Sequence, residues 1–385
     1  MNGELIINYF KQITKNFNYM LIVQLIPILL VSSVLVKEMN IGLFHKQMAY
    51  YGASAIVFLI AAYMPWKYLL WLFAPFAYIM NVLLLLGVEF AGKTILGAKR
   101  WLVLPGGISV QPSEFMKLGI LLFLAFLISK RPPDRDKGYG LLNFIFLSLI
   151  ILVPSFLILK EPDLGTTLLL LLASFGVLFI VGIDWKILTV IAIALAVVAP
   201  LGYKYALKPY QKKRIEDFLG KPSYQVQQAL IAIGSGGIEG KSKDEATQTQ
   251  LKFLPVSTTD FIFAYLGERF GFKGMVIVVA LYIMLIIHLL IISKIYSNDY
   301  QIVVIASGLA LLFFVYMGVN IYMVIGLAPV VGAPLPMFSH GGTSFIIFAF
   351  LFGVLENLIS FKAYKPYNSD TKIEMIHPHL DEGEE

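Results

Sequence analysis

Residues 246–272 read ATQTQLKFLPVSTTDFIFAYLGERFGF, and within them a polar stretch turns into an apolar one at a single carboxylate, Asp260. Helical spacing from Asp260 runs through Ala264, Gly267 and Gly271, so one face behind the acid carries no bulk. Either a substrate or another helix can lie along such a face. The acid itself has two readings at this point. Asp is a good N-cap, accepting bonds from the free N–H groups of a first helical turn; a carboxylate at a helix mouth is also a candidate general base.

What surrounds this stretch decides the fold. The chain has 385 residues, of which 58% are hydrophobic, and a mean hydropathy of +0.79. That is too apolar for a soluble domain and reads as an all-α integral membrane protein. Apolar runs near 18–36, 46–64, 68–90, 114–129, 141–159, 165–183, 187–206, 274–293, 301–323 and 341–360 are each long enough to cross about 30 Å of hydrocarbon, so about ten helices are expected. The first run lacks a small-residue cleavage site and reads as a retained helix. The absence of cysteine excludes disulfides, thiolate nucleophiles and thiolate-bound metal.

Net charge is +6, and its location matters more than its size. With the N-terminus cytoplasmic, Lys11, Lys15, Lys67, Lys130, Arg131, Arg135, Lys137, Lys186, Lys294, Lys362, Lys365 and Lys372 collect on the inner side, while Lys37, Lys46, Lys93, Lys99, Arg100 and Lys160 lie outside. The bias of about two to one follows the positive-inside rule. Residues 1–365 then form the membrane domain, and 366–385 a disordered cytoplasmic tail. The long polar segment 207–258, between helices seven and eight, lies outside with Asp260. Within it, Lys212, Lys213 and Arg214 are able to hold an anion, although a charged loop is often merely solvated. The glycines at 234, 236, 237 and 240 fit neither nucleotide-binding spacing. No nucleic acid partner is expected.

Other ionisable groups fall at the same outer helix ends. Arg100 sits in GAKRW (97–101), and Glu114 and Lys117 share a helical face in QPSEFMKLG (111–119). At a membrane interface such a pair is costly unless used or mutually paired. Asp163 in KEPDLGTT (160–167) stands at an N-cap position. His340 ends the proline- and glycine-rich stretch GLAPVVGAPLPMFSHGGTSF (326–345), an irregular segment tolerated at membrane depth only where protein or water satisfies it. His288, inside an apolar run, reads as a packed histidine. The outer placement argues against alternating access, for which polar groups near the midplane and repeated halves are expected.

GAKRW, QPSEFMKL, KEPDLGTT, YQVQQALIAIGSGG, TQTQLKFLP with TTDFIFAYLGE, and NIYMVIGLAPVVGAPLPMFSHGG resemble, in order, the signatures of the SEDS family from about residue 90 to 360. Val331 makes the last of them more similar to the RodA branch than to the FtsW branch. The resemblance implies a ten-helix peptidoglycan glycosyltransferase that polymerises lipid II on the outer face of the bacterial inner membrane for elongation and shape. It implies Asp260 as the essential acid, Glu114 and Lys117 as a functional pair, and Gln250 in TQTQLKFLP as a substrate contact. It also implies a class B penicillin-binding protein and other elongation proteins as partners. The chain departs from the family at Val256, Thr258, Arg269 and His340, and in the charged KSKDEA after Gly240.

On that resemblance, Asp260 takes the proton of the acceptor 4-hydroxyl as it attacks the anomeric carbon. Arg100, Lys117, Lys212, Lys213 and Arg214, or a divalent cation, would neutralise the leaving pyrophosphate. The competing readings are a lipid II flippase, a septal polymerase of the FtsW type, and a scaffold that only recruits a synthase.

Overall fold

The computed structural model describes residues 3–95, 98–103, 109–134, 136–191, 222–251 and 257–362, with isolated positions at 193, 212, 216, 220, 253 and 254. Its helices are α1 (Gly3–Lys15), α2 (Tyr19–Met39), α3 (Ile41–Tyr63), α4 (Trp66–Ala91), α5 (Pro112–Lys130), α6 (Leu141–Lys160), α7 (Leu164–Val181), α8 (Tyr224–Gly236), α9 (Thr247–Gln250), α10 (Ile262–Ile295), α11 (Tyr300–Val324) and α12 (Gly342–Lys362). Among the described residues, eight helices are long and apolar enough to cross a membrane. The 23-residue α3 has the length as well, but its first turns carry His45, Lys46 and Gln47. The seventh expected run starts as helix at 185, and most of it lies outside the described residues. So do most of 207–221 and the tail 366–385.

Local chemistry sets the helix ends. Asn40 separates α2 from α3 and accepts the N–H groups of Gly42 and Leu43 at 2.9 and 3.1 Å. Pro112 occupies the first turn of α5, where a missing N–H costs nothing. Asp299 caps α11 and pairs with Lys362 at 2.9 Å, tying the last helix to the bundle. The two innermost helices are α11 and α12, with 72% and 78% of their apolar windows buried, against 28% for α4. Outward-facing Trp71, Phe76, Phe90 and Leu142 form the apolar exterior that hydrocarbon solvates.

Two elements depart from the sequence expectation. Residues 93–110 fold into a three-stranded antiparallel sheet, β1 (Lys93–Ile95), β2 (Ala98–Val103) and β3 (Ser109–Val110), which lifts Arg100 across the mouth of the bundle. The eighth helix, expected from 274, already begins at Ile262. It changes course at Gly271, whose φ of +60° is left-handed backbone that favours glycine.

The small face behind Asp260 receives another helix. A Cβ at Gly236 would lie 2.0 Å from the carbonyl oxygen of Gly267, so α8 and α10 meet backbone to backbone. The carboxylate of Glu268 then caps the short α9, accepting from Gln248 N at 2.9 Å, Thr249 N at 3.1 Å and Thr249 Oγ1 at 2.6 Å. Arg269 reaches back to Glu38 of α2, Nε to Oε2 at 2.6 Å and Nη2 to Oε1 at 2.8 Å, a two-point contact.

Because the α8–α10 contact leaves no room for a side chain, Gly236→Ala is expected to lower folding stability by about 1–3 kcal/mol, the usual cost of overpacking. Thermal unfolding of the detergent-solubilised variant checks this, and a melting temperature equal to the parent's would contradict the close approach.

Candidate active site

All outer-end candidates that lie within described segments, Gln250 apart, meet at one end of the bundle, around the turn 257–261. Asp260 belongs to that turn, and Phe261 occupies the N-cap position of α10 without a side-chain cap. The capping role left open by the sequence is therefore not taken. Burial, and after it the negative charge of Asp163, raises the Asp260 carboxyl to about 6, above the usual carboxylate range.

Asp163 is the capping residue of the set. Its Oδ1 accepts Thr166 N at 3.1 Å at the start of α7. Its Oδ2 faces Arg100 Nη1 at 3.5 Å and Gln111 Nε2 at 3.4 Å. Arg100 further donates through Nε to the Glu161 carbonyl at 3.1 Å and through Nη2 to that of Pro162. One guanidinium thus ties the sheet to the α6–α7 turn, while its side chain remains 27% exposed toward the mouth. Beside it, Glu161 is buried and neither carboxyl oxygen has a hydrogen-bond partner. Burial, reinforced by Asp163 and opposed by Arg100, raises its carboxyl to about 8, so it is neutral at pH 7.

Glu114 and Lys117 do pair, at 2.7 Å and three residues apart on α5. The lysine is 2% exposed and its Nζ lies 4.6 Å from the centre of the Tyr316 ring on α11. This is a desolvated ion pair with an aromatic wall, a geometry that orders α5 against α11. Arg100, closer to solvent, is the better placed cation for an anionic ligand.

His340 joins the site through its backbone, with N–H to Thr258 O at 2.9 Å, while its Nδ1 meets Gln47 Oε1 at 3.3 Å. Gln250 is set apart. It donates to Tyr265 Oη at 3.2 Å, and Tyr265 in turn donates to Glu38 Oε2 at 2.8 Å in the Arg269 network. Lys212 is described and partly buried, whereas Lys213, Arg214 and Val256 lie outside the described residues. Among the described residues, no group of three or more His, Cys, Asp and Glu side chains is arranged to hold a metal ion.

Sequence reading missed Glu161, Tyr316 and Asn320 in the site, and the Glu38–Arg269 pair in the network beside it. Asn320 carried a usable signal, being an amide inside an apolar run where every polar group needs a partner. Glu38 and Arg269 lie 231 residues apart, and no spacing rule connects them.

A family model described as "Cell cycle protein", FTSW_RODA_SPOVE, matches residues 9–364. The peptidoglycan glycosyltransferase MrdB of Helicobacter pylori strain 26695 is 49% identical over 362 residues, covering 93% of this chain and 94% of that protein. The MrdB of Escherichia coli K12 is 36% identical over 329 residues, covering 83% and 86%. Among solved structures, a chain from a peptidoglycan synthase complex described as coordinating polymerization and crosslinking aligns with a TM-score of 0.77 and 27% identity, covering 91% of this chain and 99% of its own. The rod shape determining protein RodA of Thermus thermophilus aligns at 0.66 and 26% identity, covering 91% and 98%.

Removing one partner of a buried ion pair leaves the other uncompensated. Lys117→Ala is therefore expected to cost about 3–5 kcal/mol of stability, and Lys117→Met combined with Glu114→Gln to recover much of it. Unfolding curves for the three proteins check this, and a fully stable Lys117→Ala would show that the pair does not order the bundle.

Proposed function

From the premise that the chain belongs to the FtsW/RodA/SpoVE family of peptidoglycan glycosyltransferases, we propose that it polymerises lipid II into β-1,4-linked glycan with Asp260 as the general base. The observation that carries the assignment is the state of Asp260: half-buried, outside the helix cap, and raised to about 6 by desolvation and Asp163. A carboxylate of that strength is ionised at neutral pH yet basic enough to accept a proton as the transition state forms.

The reaction needs little else from acid–base chemistry. The acceptor 4-oxygen attacks the anomeric carbon of the donor, and the bond from that carbon to the pyrophosphate oxygen breaks. The hydroxyl proton passes to Asp260 and then to water. The leaving group departs as a stable anion, so no acid must protonate it. Attack from the opposite face inverts the α-linked donor. Arg100 is the first candidate to stabilise the pyrophosphate, and displacement of its contact to Asp163 would accompany binding. Lys212, Lys213 and Arg214 are further candidates, and Lys117 with Glu114 keeps the cavity in shape.

A half-buried acid of raised pKa at a helix mouth supports catalysis over transport, since a flippase requires only that the lipid be bound. The site lies on the outer face of the cytoplasmic membrane and both termini lie inside, a topology supported by the loop-charge bias. A class B penicillin-binding protein is the proposed partner, by likeness to the solved synthase complex. Val331 favours an elongation role.

Polymerisation of labelled lipid II by the purified chain tests the assignment. Asp260→Asn keeps the shape of the side chain but cannot take the proton, so activity should fall by at least roughly 10²-fold with folding intact. In the parent, the rate should decline as pH falls through about 6, where Asp260 becomes protonated. Glycan synthesis by folded Asp260→Asn near the parent rate would remove the general base, and transbilayer movement of lipid II without synthesis would favour the flippase. For topology, cysteines replacing Lys37 and Ser223 should react with an impermeant thiol reagent in intact cells, and one replacing Lys137 should not.

A further inference from the structure

The backbone that carries Asp260 is held through successive carbonyls. His340 N–H donates to Thr258 O at 2.9 Å, Ser339 Oγ to Thr259 O at 2.7 Å, and Asn320 Nδ2 to Asp260 O itself at 2.7 Å. Asn320 differs from the other donors in making a second such bond, from the same nitrogen to Ala333 O at 2.6 Å. Ala333 follows Gly332, whose backbone stands over the acid: a Cβ there would lie 3.5 Å from Asp260 Oδ2. A single carboxamide thus joins the acid's own peptide to the segment that roofs its carboxylate.

The amide is well suited to this task and poorly suited to others. Asn320 is 0% exposed. A planar –NH2 offers two donors and so can serve two carbonyls on different segments at once, which a hydroxyl cannot. Its Oδ1 has no hydrogen-bond partner, so the group is retained for what it donates. It also projects from α11 one turn beyond Tyr316, which walls the Glu114–Lys117 pair. The same helix face therefore sets the acid's backbone and the ion pair at a fixed separation.

We propose that Asn320 is a positioning residue for glycosyl transfer, fixing the Asp260 peptide against the 329–336 segment so that the carboxylate meets the acceptor hydroxyl in one orientation. The proposal rests on Asp260 acting as the base, and it assigns to Asn320 no contact with substrate. The ionisable groups around the acid are Asp163 at the α6–α7 turn, which acts on it directly, Arg100, which pairs with Asp163, Glu161, on which both act, and His340 in the roofing segment. The Glu114–Lys117–Tyr316 set faces the same space from α5 and α11.

The test compares the full chain with Asn320→Leu and Asn320→Ser in lipid II polymerisation across pH, alongside thermal unfolding. Leu keeps the branched outline and donates nothing; Ser keeps one donor but cannot span both carbonyls. Misplacement of a reacting group costs on the order of 10- to 100-fold in rate, so kcat should fall by that amount while KM for lipid II changes by less than about threefold. A released turn is wetter, so burial raises the Asp260 carboxyl less and the acidic limb of the rate profile should move to lower pH. A folded variant with parental kcat overturns the proposal. So does one whose loss is equal at every pH with the limb unmoved, or failure of both variants to fold, which would make Asn320 a folding residue only. Failure of the underlying reading looks different: Asp260→Asn would then remain active whatever Asn320 does.

Discussion

Backbone that leaves the helical path at membrane depth must find hydrogen-bond partners within the protein, because hydrocarbon supplies none. Two segments of this chain do so side by side, the turn 257–261 and the irregular stretch 325–341. They satisfy each other through Asn320, Ser339 and His340, with Leu335 N closing a local bond to Ser339 Oγ at 2.8 Å. The acid sits where the two meet. Its partial burial there, with Asp163 nearby, is what raises its pKa.

Around that point the charges divide by solvent contact. Lys117 is sealed against Glu114 and Tyr316 and contributes order. Arg100, on a sheet that overhangs the mouth, faces both Asp163 and the open side. Asp163 has two uses, since one oxygen starts α7 and the other meets Arg100. Its charge also reaches Asp260 and Glu161, so an anion that drew Arg100 away would leave Asp163 uncompensated beside both.

Much of this was legible in the sequence, for identifiable reasons. Spanning helices announce themselves by apolar length, and Glu114 with Lys117 by a spacing of three. Asp163 read as a cap and is one. Asp260 was equally credible as a cap, and only the start of α10 at Ile262 removes that role. What stayed hidden was long-range pairing. The sheet at 93–110 pairs strands too short to register as a pattern, and the early start of α10 depends on α8 lying against Gly267. Glu38 meets Arg269 across 231 positions of chain, a separation no local pattern spans. Asn320 was visible as a polar residue in an apolar run, but its partners were not.

The Glu38–Arg269 contact joins α2 to α10 through both ends of a carboxylate and a guanidinium, each side chain less than a fifth exposed. Replacing Arg269 alone by Glu would set two carboxylates against each other, and replacing Glu38 alone by Lys would do the same with two cations. Neither single step is neutral, so the two positions are expected to drift together or not at all. Across descendants of this sequence they should behave as one inherited character, and a lineage that separates them must first change the ground between α2 and α10.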